Sequence, residues 1–179
     1  FFNMEFTYYK TFPTEIKEEW NQLLSKSVND VPFLRFEYLA DWWQTRGGGE
    51  WPQEAELAIL AAREGTELVG IAPLFITEKK GVKKLMLLGS IEISDFLDLI
   101  VSADHVHTFV DSLLSFITDQ LVPLGIHSVD LYNLLEDSPT IQPLSEAGKA
   151  AGFEVSKTVL QQAPCITLPG DWDLYLDSI

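Results

Sequence analysis

The chain has 179 residues, which is enough for one domain with a buried core. Its 12 lysine and arginine residues against 27 aspartate and glutamate residues give a formal net charge of −15, which repels nucleic acid and anionic membranes. The single cysteine, Cys165, excludes an internal disulfide and suits a reducing compartment. No apolar run approaches the length of a membrane span, and no basic segment leads into an apolar one at the start. The sequence therefore predicts a cytoplasmic protein.

The first part of the chain predicts a strand followed by two helices. Residues 6–10 alternate and are rich in residues that favour strands. Thr14 is a good N-cap for a helix that continues to about Lys26, because apolar residues recur there at helical spacing. A second helix is predicted from about residue 35 to 45, and the glycine run at 47–49 ends it.

The middle of the chain predicts antiparallel strands. Residues 56–64 and 67–78 form a hairpin, and residues 82–89 add a third strand. Pro73 cannot donate a ladder hydrogen bond, so its strand has a bulge or an open edge there. Residues 95–101 predict a further extended segment.

The last third predicts two helices and three strands. Apolar residues line one face of a helix over residues 106–121, and a strand follows at 128–134. A helix over residues 139–151 precedes two closing strands, at 153–160 and 164–168. The whole order predicts an α/β domain with a mixed, largely antiparallel sheet flanked by helices.

A final short helix is predicted at the carboxyl end, over residues 171–179. Asp171 is a plausible N-cap, and four apolar residues follow at i, i+3, i+4 and i+7: Trp172, Tyr175, Leu176 and Ile179. A helix this short is unstable alone in water. We therefore expect it to be short or frayed, with its apolar face only partly covered. It would begin a linking helix that continues into further sequence, with Trp172 and Tyr175 anchored on this domain.

Several phrases, in their order of appearance, resemble the amino-terminal half of the CelD-like, FemAB-related acetyltransferases of the GNAT superfamily. These phrases are "VPFLRFEYLADWWQTRG", "ELVGIAPLFI", "LLGSIEISDFLDLI", "LYNLLEDSP" and "LPGDWDLYLDSI". The resemblance covers nearly the whole chain from residue 20 to 179. It implies that residues 1–179 form one domain of the GNAT-like acyl-CoA N-acyltransferase fold, the amino-terminal half of a two-half enzyme.

The resemblance also implies a function. This half would shape the acceptor cleft, while a second GNAT-like half of the same polypeptide would hold the acyl-donor site. The complete enzyme would transfer an acetyl or aminoacyl group to an amine or hydroxyl of a saccharide or cell-envelope precursor, as in polysaccharide biosynthesis. The alternative is a non-catalytic recognition or interaction domain, a GNAT-like shell that has lost its acyl-CoA site.

The sequence lacks the expected donor loop. GNAT enzymes bind the pyrophosphate with a Q/R-x-x-G-x-G/A loop between a strand and a helix, where backbone N–H groups and the helix dipole attract it. The junction at 89–105 reads "GSIEISDFLDLIVSADH" and brings acidic side chains instead. The letters "QTRGGG" at 44–49 match the motif, but they follow a helix and predict its end. We therefore expect no cofactor bound by this chain, with acetyl-CoA or another acyl donor used by the complete enzyme.

The candidate acceptor residues are Asp95, Asp98 and Trp42, and no catalytic residue is identified. In a regular strand the two aspartates would face opposite sides, although a bulge could bring them to one side. They either lie in water at a strand end or cap a turn, or Asp95 borders the acceptor cleft and hydrogen-bonds a hydroxyl or amine there.

Other side chains give weaker signals. Trp43 fits the apolar face of its helix, which leaves Trp42 as either an exposed sugar-stacking platform or a lid on another element. His105 and His107 do not share a helix face, and no third ligand is near, so no metal site is predicted. Cys165 fits a small core residue better than a nucleophile.

Overall fold

The computed structural model describes residues 4–164, 166 and 168–177. The helices and strands are, in chain order, β1 (Glu5–Tyr9), α1 (Lys17–Leu24), α2 (Phe36–Gly49), β2 (Glu56–Leu57), β3 (Ile59–Glu64), β4 (Glu67–Ala72), β5 (Leu74–Lys79), β6 (Val82–Leu87), β7 (Ile100–Val101), α3 (Val106–Phe116), β8 (Ile126–Asp130), α4 (Ile141–Ala150) and α5 (Trp172–Leu176). No helix within these ranges is both long and apolar enough to cross a bilayer.

The strands form two sheets rather than one. The first sheet has the order β1-β3-β4-β7 and is antiparallel throughout. The second has the order β2-β5-β6-β8, in which β8 runs parallel to β6 and the other pairs are antiparallel. The mixed α/β architecture predicted from the element order is confirmed.

Pro73 marks the place where the chain passes from the first sheet to the second. The single strand predicted over 67–78 is wrong, because β4 and β5 lie on either side of this proline and belong to different sheets. Pro73 has no N–H for a ladder, and its carbonyl accepts a 2.8 Å hydrogen bond from Leu88. The two sheets therefore diverge at a residue that cannot complete either ladder.

Helix α3 packs closely against the first sheet at Gly70. A Cβ at this position would lie 2.3 Å from the ring of Phe109, which is fully buried. The ring of Phe109 also contacts Phe6 of β1, with the centroids 5.9 Å apart. The absent side chain of Gly70 thus sets the distance between helix and sheet.

Two strand predictions in the second half are corrected. Residues 153–160 form no strand, and Val159 and Leu160 are 70% and 55% exposed. An alternating pattern favours a strand only where a neighbouring backbone is available to pair with it, and none lies alongside this segment within the described residues. Of residues 95–101, only Ile100 and Val101 are in a strand. The predicted strand over 164–168 and the expected burial of Cys165 include positions outside the described residues.

Helix α5 is short and largely exposed, as predicted. The carboxylate of Asp171 accepts hydrogen bonds of 3.0 Å from the N–H groups of Asp173 and Leu174, which confirms it as the N-cap. Trp172 is 69% exposed, so the expectation that this side chain is anchored on the domain is wrong. Ile179 lies outside the described residues, and a continuing linking helix stays a prediction.

Candidate functional site

The candidate site lies in the loop between β6 and β7, beside the end of β8. Strands β6 and β8 pair as far as Met86 and Asp130. Beyond these residues, the loop after β6 forms hydrogen bonds with the segment after β8. Leu97 donates a 2.9 Å hydrogen bond from its N–H to the carbonyl of Asn133, three residues beyond β8. The loop therefore continues the contact between the two chain segments after the ladder has ended.

The side chain of Asn133 holds the same loop. Its amide donates hydrogen bonds of 2.7 Å to the carbonyl of Ile91 and 2.6 Å to that of Ser94. Asn133 has a φ of +63°, in the left-handed region that asparagine tolerates better than most residues. This conformation and both hydrogen bonds make Asn133 the main support of residues 91–95, which we call the acidic loop.

Gly89 allows the loop to fold back on itself. Its φ is +98°, and a Cβ there would lie 2.6 Å from Leu97 Cδ2 and 3.0 Å from Ser94 Oγ. Any side chain would therefore meet both backbone strain and a steric clash.

The segment after α2 closes the loop from the other side. Glu50 accepts hydrogen bonds through Oε2 from the N–H groups of Ile91 (3.2 Å) and Glu92 (3.4 Å). The indole N–H of Trp51 donates a 2.5 Å hydrogen bond to the carbonyl of Ser90. Glycines 47–49 all have positive φ, so the right-handed helix ends before them, as the sequence predicts, and the chain turns toward the loop.

Asp95 is the exposed member of the aspartate pair. It lies in the acidic loop beside Glu92 and Ile93, which are also exposed. The hydroxyl of Tyr38 donates a 2.8 Å hydrogen bond to the carbonyl of Ile93 and lies 2.9 Å from Ser94 Oγ. A carboxylate in water on a backbone held at several points can accept hydrogen bonds from a bound ligand.

Asp98 is fully buried, so the interpretation that it borders an open cleft is wrong for this side chain. Its carboxylate accepts hydrogen bonds from the hydroxyls of Ser138 (2.5 Å) and Thr140 (2.6 Å), the N–H of Leu99 (2.8 Å) and the amide of Asn29. Burial raises the pKa of Asp98 above its usual value, although these hydrogen bonds act in the opposite direction. Asp98 therefore joins three loops inside the domain.

Of the two adjacent tryptophans, Trp42 is the more buried, and it fits the predicted alternative of a lid on another element because it packs on Phe75 of β5. Trp42 is buried, with 3% of its surface exposed, whereas Trp43 is half-buried. The ring of Trp42 fits beside Gly47, where a Cβ would lie 3.1 Å from the indole, and the glycine that ends the helix makes this room. The buried ring of Trp42 is therefore not accessible for stacking on a sugar. It packs against Phe75, with the ring centroids 5.5 Å apart.

Trp43 instead has the more accessible ring, and the guanidinium of Arg46 lies 3.5 Å from its centroid. This cation–π contact covers one face of the indole. Both tryptophans lie in the regular part of α2. The left-handed turn that begins at Arg46, with a φ of +52°, places Gly47 against Trp42 and the guanidinium over Trp43.

Sequence reasoning missed the supports of the acidic loop, which are Tyr38, Glu50, Trp51 and Asn133. The one local signal was the asparagine itself, a residue type that favours left-handed turns. The remaining partners come from distant positions that no periodicity connects. Within the described ranges, no three His, Cys, Asp or Glu side chains come together as a metal-binding group.

Comparison with known proteins identifies solved structures with a similar fold. No family model matches the chain, and no curated protein matches it in sequence. Among solved structures, it is similar to an acetyltransferase from Trypanosoma brucei, with 14% identity, 90% of this chain and 100% of that chain covered, and a TM-score of 0.54. It is also similar to an aminoglycoside acetyltransferase from an uncultured soil metagenomic sample, with 16% identity, 92% and 99% coverage, and a TM-score of 0.53.

A third similar structure is that of AAC(6')-Iy in complex with the bisubstrate analogue CoA-S-monomethyl-acetylneamine. It shares 14% identity over 91% of this chain and 99% of that chain, with a TM-score of 0.50. At such identities the likeness concerns the fold alone. The chain has the GNAT fold, which confirms the fold predicted from the resemblance.

Proposed function

We propose that this chain is the acceptor-side, amino-terminal half of a cytoplasmic GNAT acyltransferase related to the CelD-like and FemAB-like enzymes. The complete enzyme transfers an acetyl or aminoacyl group from a thioester to an amine or hydroxyl of a saccharide or envelope precursor. The observation that carries the proposal is the acidic loop, which presents Asp95 on a backbone fixed by Asn133 and Glu50. The GNAT fold and the similar structure of an aminoglycoside acetyltransferase support this choice of chemistry.

Asp95 is proposed to receive the acceptor. Its exposed carboxylate can accept a hydrogen bond from a hydroxyl or an ammonium group and orient the attacking atom. A net charge of −15 draws a cationic acceptor toward the chain and raises its local concentration. An amine must lose a proton to attack a thioester, and a carboxylate close to it assists that loss.

The segment between β6 and α3 does not fit the diphosphate of coenzyme A. The segment between β6 and α3 carries four acidic residues, Glu92, Asp95, Asp98 and Asp104. It contains neither lysine nor arginine, and its glycine, Gly89, is covered by Leu97. We therefore place the acyl donor on the proposed second half and assign no step of the transfer to a donor bound here.

Calorimetric titration of acetyl-CoA into the protein tests whether the acyl donor binds to the proposed second half. The 179-residue chain should show negligible binding, whereas the complete polypeptide should bind one equivalent. Micromolar binding to the chain alone would overturn the proposal and direct attention to the segment at 44–49.

The second candidate function is a non-catalytic recognition domain, favoured by the same mismatch with the diphosphate. An assay distinguishes the two functions. It measures the release of the coenzyme A thiol by the complete polypeptide in the presence of aminosugar acceptors. Acceptor-dependent thiol release supports the transferase. Saccharide binding without any thiol release would support the recognition domain.

A further inference from the structure

A second group of polar side chains lies in a cavity between α1, the start of β4 and the turn at 102–105 that precedes α3. The cavity has a volume of about 490 Å³, within the range of small-molecule sites. Leu23, Leu68 and Val69 supply apolar wall, and Ser102 and His105 lie among the other lining residues. No residue of the acidic loop lines it.

Ser102 and His105 line this cavity, and Glu64 of β3 lies behind the histidine, beyond hydrogen-bond distance from it. Ser102 Oγ lies 2.8 Å from His105 Nδ1, and His105 Nε2 lies 3.8 Å from Glu64 Oε2. With Nδ1 unprotonated, the imidazole accepts the serine proton while its Nε2–H faces the carboxylate. A serine, a histidine base and an acid behind the base are the three roles required of an activated hydroxyl nucleophile.

The position of Ser102 favours this use of its hydroxyl. Ser102 directly follows β7 and is the N-cap residue of the 3₁₀ turn Ala103–His105, yet its side chain makes no capping hydrogen bond to that turn. Its oxygen faces the histidine instead.

We propose that this set hydrolyses neutral or cationic esters that carry a small acyl group, an activity separate from acyl transfer at the acidic loop. Apolar contact with Leu23, Leu68 and Val69 suits the acyl chain. Of the acidic residues that line the cavity, Glu19 is paired with Arg63, which leaves Glu67 and Asp104 against Lys26. This excess of negative charge disfavours anionic esters.

The reaction proceeds through an acyl-serine. Ser102 Oγ forms a bond to the ester carbonyl carbon while its proton passes to His105 Nδ1. The bond between that carbon and the alkoxy oxygen then breaks, and the histidine returns the proton to the leaving alcohol. Water attacks the acyl-serine with the histidine again taking the proton, which releases the carboxylic acid and restores Ser102.

The test uses two measurements on the 179-residue chain: labelling by a fluorophosphonate, which phosphonylates activated serines, and hydrolysis of p-nitrophenyl acetate. We expect one label, located on Ser102 by peptide mass spectrometry. Ser102→Ala and His105→Gln should each lower hydrolysis by at least about 100-fold, as loss of a nucleophile or general base does. Ser115→Ala, on the exposed surface of α3, is the matched control and should leave both readouts unchanged.

A purely structural role for Ser102 gives a different result. Ser102→Asp keeps a side chain that can cap the turn but lacks the nucleophile, so it should fold and be inactive. Absence of label on Ser102 in the unmodified chain, or hydrolysis by folded Ser102→Asp at the original rate, overturns the proposal. Both readouts are independent of acetyl-CoA, so this result does not bear on the acyltransferase assignment.

Discussion

Leu97 donates a 2.9 Å hydrogen bond to the carbonyl of Asn133, and this contact joins the loop after β6 to the extension of β8. The asparagine side chain adds two more hydrogen bonds to the same loop. Exposed residues on a backbone that is already held in place lose less conformational entropy on ligand binding than residues on a free loop. The contact therefore links a feature of the fold to the presentation of Asp95.

Replacement of Asn133 by glycine should destabilise the domain by about 1–3 kcal/mol, because the carbonyls of Ile91 and Ser94 lose their donor. Glycine tolerates the φ of +63°, so this variant isolates the lost hydrogen bonds from backbone strain. Asn133→Ala should cost about 1 kcal/mol more, since a Cβ is disfavoured in the left-handed region. Urea denaturation measures both, and equal stability of all three proteins would contradict the assigned role.

Asp98 should make the stability of the domain depend on pH. Because its pKa is raised by burial, the folded state holds this proton more tightly than the unfolded state. The stabilising contribution is thus complete below the unfolded pKa of about 3.9 and is lost as the pH rises through the folded pKa. Measured by urea denaturation, the stability of the natural chain relative to Asp98→Asn should rise as the pH falls from about 7 to about 4.

The stabilities of two alanine variants test whether Asp98 holds the three loops together. Asp98→Ala leaves the hydroxyls of Ser138 and Thr140 and the amide of Asn29 without their acceptor, so it should cost about 3 kcal/mol at neutral pH. Asp119→Ala, an exposed position beyond α3, should change stability by less than about 0.5 kcal/mol. A difference between natural chain and Asp98→Asn that does not vary with pH would show that Asp98 is not perturbed.

The sequence predicts most helices and the extended segments that contain β3 to β6, because their apolar periodicities are long and local. It fails at Pro73 and over residues 153–160 for one shared reason. Strand pairing depends on which backbone lies alongside, and side-chain alternation does not encode that. The single strand predicted at 67–78 is in fact two strands in separate sheets.

The candidate site was predicted only in outline. The pair Asp95 and Asp98 stood out because carboxylates are unusual in an apolar run, and the structure separates them into one exposed and one buried side chain. Which of the two is buried depends on Asn29, Ser138 and Thr140, whose positions in sequence are far from Asp98. Likewise, Trp42 is buried because the chain bends at Arg46 and Gly47, which helical periodicity does not anticipate.

A matched pair of glycine substitutions tests the packing of the loop. Gly89→Ala should destabilise by about 2–4 kcal/mol, the sum of left-handed strain and the clash with Leu97. Gly81→Ala shares a positive φ but has nothing within 4 Å of its Cβ, so it should cost only about 1 kcal/mol. Thermal denaturation compares the two variants, and equal losses would show that Leu97 moves aside without cost.

Replacement of Asp95 by asparagine in the complete enzyme should lower turnover while leaving stability nearly unchanged. Loss of a proton-transfer or orienting carboxylate typically costs about two to four powers of ten in rate. The side chain is exposed, so the free energy of unfolding should change by less than about 0.5 kcal/mol. Coenzyme A release in the presence of an acceptor gives the rate, and Asp111→Asn on the exposed face of α3 is the control of equal charge change. An unchanged rate in Asp95→Asn, or a loss of rate matched by the control, would remove Asp95 from the acceptor site.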